Sequence, residues 1–178
     1  MNAPTATWFR SVPGYGAVGF ERSCKTPAMP IDDAGFMALA LDEARAAPAH
    51  GDVPVGAVVV RDGEVIARRH NEREKLGDPT AHAEVLALRD AAAVVGSWRL
   101  DVCTLYVMFE PCVMCAGALL NARIGRLVYG AADLKGGATA SLYNVCADPR
   151  LNHNPPVTHN VGAAESAQLL TDFFAAQR

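Results

Sequence analysis

Two short segments of the sequence combine metal-ligand side chains with one carboxylate, and they constrain the fold more than any other feature. The first contains His82 and Glu84 in an H-x-E pattern. The second contains Cys112 and Cys115 in a P-C-x-x-C pattern. One imidazole and two thiolates form a ligand set that suits zinc. A fold that uses both segments must therefore bring them together, although they are far apart in the sequence.

The carboxylate of Glu84 indicates which kind of zinc site this is. A structural zinc is normally held by four protein ligands, whereas a catalytic zinc keeps one position open for water. A glutamate is a poor partner for thiolates but a good proton carrier beside an activated water. The combination H-x-E…P-C-x-x-C is the signature of zinc deaminases that act on nucleobases. We therefore predict a zinc-dependent deaminase with one Zn²⁺ per subunit.

The spacing of these residues predicts two helix starts that face each other across the metal. Cys112 and Cys115 are three positions apart and would share a helix face, at a helix N-terminus that favours thiolates. His82 and Glu84 are only two apart, so they can converge only near a helix end. Thr80 is the predicted N-cap of their helix.

Composition is that of a globular chain. Its 178 residues are 51% hydrophobic and 20% charged, with a formal net charge of −3. Residues 61–150 carry equal numbers of basic and acidic side chains, 11 of each. The charge therefore gives no global indication of nucleic-acid binding, and an RNA ligand would have to be recognised by a local patch or by base pockets.

The cysteines and the hydropathy pattern bear on location. Besides the two candidate ligands, the chain has three cysteines that are far apart in the sequence, Cys24, Cys103 and Cys146. An odd total of five cysteines without a regular spacing is typical of reduced, intracellular thiols. No apolar run approaches the ~20 residues of a membrane span, and the N-terminus lacks an apolar signal-peptide segment. We expect a cytoplasmic protein with no membrane association.

Two regions are expected along the chain. Residues 1–30 form an irregular extension with an alternative translation start at Met29, and residues 31–178 form a single deaminase domain. The domain begins with a helix capped by Asp32 or Asp33, which ends at Pro48 and Gly51.

The remaining pattern predicts alternating strands and helices. A buried strand, a hairpin turn at Asp62-Gly63 and a returning strand come first, and most of the polar stretch 68–75 is expected to be a solvated loop. Phe173 and Phe174 are expected in the core. The other predicted elements are helix 81–95, strand 104–109, helix 112–122, strand 126–130, short helix 141–146, edge strand 157–161 and helix 163–177.

These elements predict a three-layer α/β/α sandwich, with a mixed sheet of about five strands and helices on both faces. Residues 104–130 form a strand–helix–strand unit, which implies two parallel strands joined by a right-handed crossover.

The sequence after the extension resembles the bacterial tRNA-specific adenosine deaminases. H-x-E with P-C-x-x-C marks the wider deaminase superfamily, whereas D-P-T-A-H-A-E and E-P-C-V-M-C-A-G-A are more specific to this family. The matching segments are residues 53–58, 71, 78–84, 104–107, 110–118, 122–126, 152–153 and 172–174.

The resemblance implies the cytidine-deaminase-like fold and conversion of the wobble adenosine of an arginine tRNA anticodon to inosine. It also implies a tRNA anticodon arm as partner, bound by a homodimer in which both subunits contribute to the anticodon site. Asn71 matches a residue that contacts the target nucleoside, and Asp133 matches one near the anticodon loop. The implied zinc ligands are His82, Cys112 and Cys115, with Glu84 as proton shuttle.

Two positions depart from the family pattern. Ala132 stands where the family often has an arginine, and residues 175–178 replace a basic tail. Both departures remove positive charge from the expected RNA face.

The expected chemistry is attack of a zinc-bound hydroxide on C6 of the adenine base. Glu84 is expected to transfer protons between the water, the base and the leaving ammonia. Other functions remain open from the residues alone. The same motif would serve a deaminase of a free base or nucleoside such as guanine, cytosine or cytidine. A non-catalytic zinc-bearing RNA-binding subunit would not need Glu84, and a redox C-x-x-C protein would be metal-free.

Overall fold

A computed structural model describes residues 32–178, so the extension 1–30, Met29 and Cys24 lie outside the described residues. A five-stranded sheet with the order β2-β1-β3-β4-β5 forms the middle layer. The strands are β1 (Gly56–Arg61), β2 (Glu64–His70), β3 (Cys103–Phe109), β4 (Arg126–Ala131) and β5 (Val157–Thr158).

The sheet is mixed, as predicted. β1 pairs antiparallel with β2 and with β3, whereas β3, β4 and β5 run parallel. The β1–β2 hairpin turns at Asp62 and Gly63, whose φ angles of 52° and 79° are those of a tight hairpin turn. The three central strands are buried almost throughout, because helices cover both faces of the sheet.

Residues 32–178 form five α-helices: α1 (Asp33–Ala44), the single turn α2 (Arg73–Leu76), α3 (Ala83–Val95), α4 (Val113–Asn121) and α5 (Ala163–Ala175). α1 and α5 pack on one face, joined by an ion pair between Arg45 and Glu165. α3 and α4 pack on the other. Asp32 caps α1 by accepting a hydrogen bond from the Gly35 N–H at 2.9 Å, which confirms one of the two predicted caps. Gly56 is required beneath α1, since a Cβ there would collide with the helix backbone.

Two predicted elements are shorter than expected, since α1 already ends at Ala44 and the edge strand β5 spans only Val157–Thr158. Two further local predictions are wrong. The stretch 68–75 is mostly not loop: β2 extends to His70 and α2 follows, because Arg68 and Arg69 pair with acidic side chains and are satisfied within a strand. The expected short helix at 141–146 is only a 3₁₀ turn, Val145–Ala147. The backbone N–H of Ser141 instead donates to a buried carboxylate, that of Glu110, at 2.9 Å.

The described residues also bear on the cysteine and membrane predictions. All four cysteines in residues 32–178 are free thiols, and Cys103 and Cys146 are buried. Within the same residues, none of the helices has both the length and the apolar character that crossing a bilayer requires.

Candidate functional site

The N-termini of α3 and α4 meet at one end of the sheet and bring the two sequence segments together. His82 is the N-cap of α3 and Cys112 the N-cap of α4, while Cys115 is the third residue of α4 and is fully buried. Thr80 is not the cap that was expected, since its hydroxyl donates to Asp78 Oδ1 at 2.7 Å. The predicted meeting of two helix starts is otherwise what the structure shows.

The three ligand atoms have the separations that a tetrahedral zinc site needs. His82 Nδ1 lies 3.5 Å from Cys115 Sγ and 3.8 Å from Cys112 Sγ. With ordinary zinc–nitrogen and zinc–sulfur bond lengths, a tetrahedral site separates nitrogen from sulfur by about 3.5 Å. All three ligand atoms lie within 4.8 Å of one another. The donor set and the spacing therefore fit a zinc ion.

The charges around the two thiols also favour a cation. Hydrogen bonds from Cys115 and His82 lower the pKa of the Cys112 thiol to about 3. The bond to Cys112, together with burial, raises the pKa of the Cys115 thiol, and the bond to Cys112 also raises the pKa of the His82 ring. One thiolate is thus stable beside one thiol, and a divalent cation is what would let both ionise.

Glu84 is the second residue of α3, and its carboxyl group is poorly satisfied. The side chain is only 4% exposed, and its Oε2 is the one buried side-chain oxygen or nitrogen in residues 32–178 without a hydrogen-bond partner. Burial raises the pKa of this carboxyl. A buried carboxyl with one oxygen free of protein partners, beside a metal-ligand cluster, is suited to accepting and releasing protons.

Asn71 is a further residue of this site. It directly follows β2 and is 6% exposed, and its side-chain oxygen accepts a 2.9 Å hydrogen bond from the Ala83 N–H at the start of α3. Its backbone N–H donates to Val55 O at 3.0 Å. The predicted nucleoside-contacting residue is therefore rigidly held next to His82 and Glu84.

Glu110 is a residue that the sequence did not single out. It is 2% exposed and accepts hydrogen bonds from backbone and hydroxyl groups of the loop 133–141. The donors are the N–H groups of Asp133, Thr139, Ala140 and Ser141 and the hydroxyls of Thr139 and Ser141. Although burial alone would raise the pKa of Glu110, these bonds, Ser141's first, lower it to about 2. A glutamate at the end of a buried strand, directly before P-C, was the available signal.

Asp133 lies on that loop and lines the same cavity. Its Oδ1 accepts hydrogen bonds from the Lys135 and Gly136 N–H groups at 2.9 and 3.0 Å, so the carboxylate caps a turn. The structure places Asp133 near the site and gives it a local structural role.

A cavity of about 590 Å³ opens over these residues, within the range of small-molecule sites. Ala132 and the side chains of Arg73, Phe174 and Arg178 also line it. The expectation that Phe174 belongs to the core is wrong, because it is 48% exposed at the cavity. Leu170, four positions earlier on α5, lines the cavity too, and this i, i+4 spacing was the signal.

Comparison with known proteins gives one family and a set of similar relatives. Residues 31–178 match the family model of the MafB19-like deaminases. A tRNA-specific adenosine deaminase of Agrobacterium fabrum is 48% identical over 143 residues, which span 80% of this chain and 94% of the relative.

Solved structures show the same likeness. A structure from biochemical and structural studies of A-to-I editing by tRNA:A34 deaminases is 49% identical, with a TM-score of 0.73 over 76% of this chain and 98% of that one. A guanine deaminase from Nitrosomonas europaea is 25% identical, with a TM-score of 0.68 over 85% and 87% of the two chains. The cytidine-deaminase-like sandwich is thereby confirmed.

Proposed function

The chain belongs to the tRNA-specific adenosine deaminase family, and from this premise we propose that it hydrolyses the wobble adenosine of a tRNA anticodon to inosine and ammonia. The single observation that supports the proposal most strongly is the buried carboxyl of Glu84, whose Oε2 has no hydrogen-bond partner, beside the His82–Cys112–Cys115 cluster in the lining of a cavity. An arginine tRNA is the proposed substrate.

The metal of this site is proposed to be one Zn²⁺ per subunit, held by His82, Cys112 and Cys115. When bound, it supplies Lewis acidity that lowers the pKa of a water molecule towards ~7. The soft thiolates, the imidazole and their separations support zinc over magnesium or calcium, which prefer oxygen ligands.

Glu84 is proposed to move the protons of the reaction. Its unpartnered Oε2 accepts a proton from the attacking water and delivers it to purine N1, while the water oxygen bonds to C6. The carboxylate next takes the proton of the new C6 hydroxyl and donates it to the amino group, so that the C6–N bond breaks, ammonia leaves and the C6 carbonyl of inosine forms. Burial raises the pKa of Glu84, so its carboxyl accepts a proton more readily than an exposed glutamate would.

Asn71 is proposed to position the base. Its side-chain oxygen is fixed by Ala83 N–H, so the amide nitrogen is oriented by a bond made within the protein. Asp133 is proposed to contact the anticodon loop from the cavity rim. Arg73 and Arg178 line the same cavity and supply guanidinium groups for phosphates, which offsets the missing arginine at Ala132.

A homodimer is also proposed. Large apolar side chains are exposed on α3 and on the connection from α3 to β3, among them Val94, Trp98 and Val102, each at least 60% exposed. An exposed apolar surface of this kind is typical of a subunit interface. Light scattering that gives the mass of two subunits for the wild type, and the mass of one subunit for Trp98→Arg, would support the dimer.

The proposed location is the cytoplasm, where tRNA is found.

The experiment is inosine formation with a panel of substrates. Zinc-quantified protein is incubated with an anticodon stem-loop bearing a wobble adenosine, and separately with adenosine, guanine and cytidine. The proposal predicts inosine in the stem-loop alone, and loss of the product after zinc removal by a chelator with recovery on readdition. Turnover of guanine without inosine in RNA would overturn the tRNA substrate and favour the chemistry of the guanine-deaminase neighbour.

A further inference from the structure

A second cluster of metal-ligand side chains lies apart from the cysteines. His70 ends β2, Glu72 follows two positions later, and His50 reaches both from the 3₁₀ turn Ala47–His50. Their ligand atoms, two imidazole nitrogens and one carboxylate oxygen, all lie within 4.8 Å of one another. The catalytic mechanism proposed above uses none of these three side chains.

Each imidazole of this cluster is oriented by its own carboxylate. His50 Nδ1 lies 2.8 Å from Asp52 Oδ2, and His70 Nδ1 lies 3.2 Å from Glu43 Oε2. An ionised carboxylate only accepts hydrogen bonds, so each Nδ1 is the donor to its carboxylate, and this tautomer leaves Nε2 as the ring nitrogen that can bind a metal ion. Asp52 is itself fixed, because it accepts hydrogen bonds from the N–H groups of Glu74 and Lys75.

The two Nε2 atoms face one another. His50 Nε2 and His70 Nε2 are 3.2 Å apart, whereas the ring centroids are 5.3 Å apart, so the rings meet edge to edge. This distance is within hydrogen-bond range, and either a proton on one Nε2 or a cation bound by both nitrogens satisfies it. Two nitrogens bound to one tetrahedral zinc are separated by about 3.3 Å, close to the distance seen here.

We propose that His50, His70 and Glu72 form a second metal site, for a divalent first-row transition ion such as Zn²⁺. Glu72 Oε1 lies 3.8 Å from His70 Nε2 and supplies the third ligand. The carboxylates of Asp52 and Glu43 are the outer partners that ligating histidines normally have. Two imidazoles exclude Mg²⁺ and Ca²⁺ as the preferred ion, since both favour oxygen ligands.

Binding at this site competes with a lysine. Lys75 Nζ lies 2.5 Å from Glu72 Oε1, and Arg69 also pairs with the Glu72 carboxylate. An incoming cation must displace the ammonium or share the carboxylate with it. The second site therefore binds zinc more weakly than the two-thiolate site.

The position of the site gives it a structural role. His50 precedes β1 and His70 ends β2, so an ion between them ties together the two segments that flank the hairpin. Asn71 lies between two of the ligands in the chain, and it lines the catalytic cavity. By binding His70 and Glu72, the ion would restrain the backbone at Asn71 without contacting the substrate.

The test counts zinc ions on the whole protein. Protein dialysed to constant zinc content is titrated with further Zn²⁺ against a chromophoric chelator, for the wild type, His50→Gln and the control His159→Gln. His159 lies outside the cluster, against Tyr129 and Asn160. We expect one further equivalent in the wild type and in the control, and at least tenfold weaker binding in His50→Gln. No further equivalent in the wild type, or equal binding in His50→Gln, would overturn the proposal.

A second pair of measurements covers the case in which His50→Gln is unstable. Lys75→Ala removes the competing ammonium but keeps the backbone N–H that donates a hydrogen bond to Asp52. This variant should therefore bind the further Zn²⁺ several-fold more tightly than the wild type. Co²⁺ bound at this site should show no thiolate-to-metal charge-transfer absorption. Weaker Zn²⁺ binding in Lys75→Ala, or thiolate absorption that grows with the further equivalent, would contradict a His50–His70–Glu72 site.

Discussion

Glu84 and Glu110 line the same cavity and are almost equally buried, at 4% and 2% exposure, yet their surroundings are opposite. Glu110 accepts hydrogen bonds on both oxygens from the loop 133–141, and they hold its pKa at about 2. Glu84 Oε2 has no such partner, and burial raises the pKa of its carboxyl. Burial thus does not decide what a glutamate does: the number of fixed donors separates a permanent anion that organises a loop from a carboxyl that exchanges protons.

The largest expected effect is on activity, at Glu84. Glu84→Gln removes proton transfer from a residue of the same size, so inosine formation should fall by about 10²–10⁴-fold. Zinc content should stay at the wild-type value because the ligands are untouched, and thermal stability should not fall because the lost carboxyl oxygen had no partner. Activity, zinc content and melting temperature of the same preparation test this. Turnover near that of the wild type in zinc-loaded Glu84→Gln would exclude the shuttle role.

Substitution of Glu110 should mainly reduce stability. In Glu110→Gln an amide NH₂ faces N–H groups that donate hydrogen bonds to the carboxylate in the wild type. This mismatch should lower the unfolding free energy by about 3 kcal/mol. The melting temperature should drop by about 10 °C. Chemical and thermal unfolding measure the change, with the exposed Glu64→Gln as the matched control. A variant as stable as the control would show that the loop does not depend on this anion.

One donor of the loop should matter less than the anion itself. Ser141→Ala removes the hydroxyl that donates to Glu110 Oε2 but keeps the backbone N–H that donates to Oε1. We expect a loss of about 1–2 kcal/mol in unfolding free energy. Ser97→Ala, at an exposed serine outside the cavity, serves as the control. If Ser141→Ala lowered the unfolding free energy as much as Glu110→Gln does, the loop would depend mainly on the one hydrogen bond from the Ser141 hydroxyl.

The smallest effect is a pH dependence. The pKa of Glu110 is lowered on folding, so its stabilising contribution is present above the unfolded value near 4.3 and is lost as the pH falls towards about 2. The difference in unfolding free energy between the wild type and Glu110→Gln should therefore shrink as the pH is lowered from about 6 to about 3.5. Urea unfolding at several pH values measures it. A difference that grew on acidification would have the wrong sign for a carboxyl with a lowered pKa.

The sequence predicted much of this site because its signals are local. His82 and Glu84 near a helix start, and Cys112 and Cys115 on one helix face, follow from spacing alone. The mixed sheet followed from the hairpin turn at Asp62-Gly63 and from the strand–helix–strand unit that ends at β4.

The features that were missed depend on contacts between distant segments. The position of Glu110 at the end of a buried strand was a local signal, but its role depends on the loop 133–141 folding back onto it, which the sequence around Glu110 does not show. Phe174 faces the cavity instead of the core because of the way α5 lies across β4, and His50 meets His70 only across the β1–β2 hairpin. The polar stretch 68–75 was expected to be loop because its charged partners, Glu43 and Asp90, are on other elements.

The most direct test of the account compares the two glutamates in one assay. Glu84→Gln and Glu110→Gln are each brought to the zinc content of the wild type, and inosine formed at the wobble position of the stem-loop is divided by the folded fraction measured in the same buffer. We predict that Glu84→Gln is folded and makes almost no inosine, while the folded part of Glu110→Gln makes inosine at a rate within about tenfold of the wild type, since it keeps the proton shuttle. Comparable activity in the two variants, whether both high or both lost, would contradict the division of roles between Glu84 and Glu110.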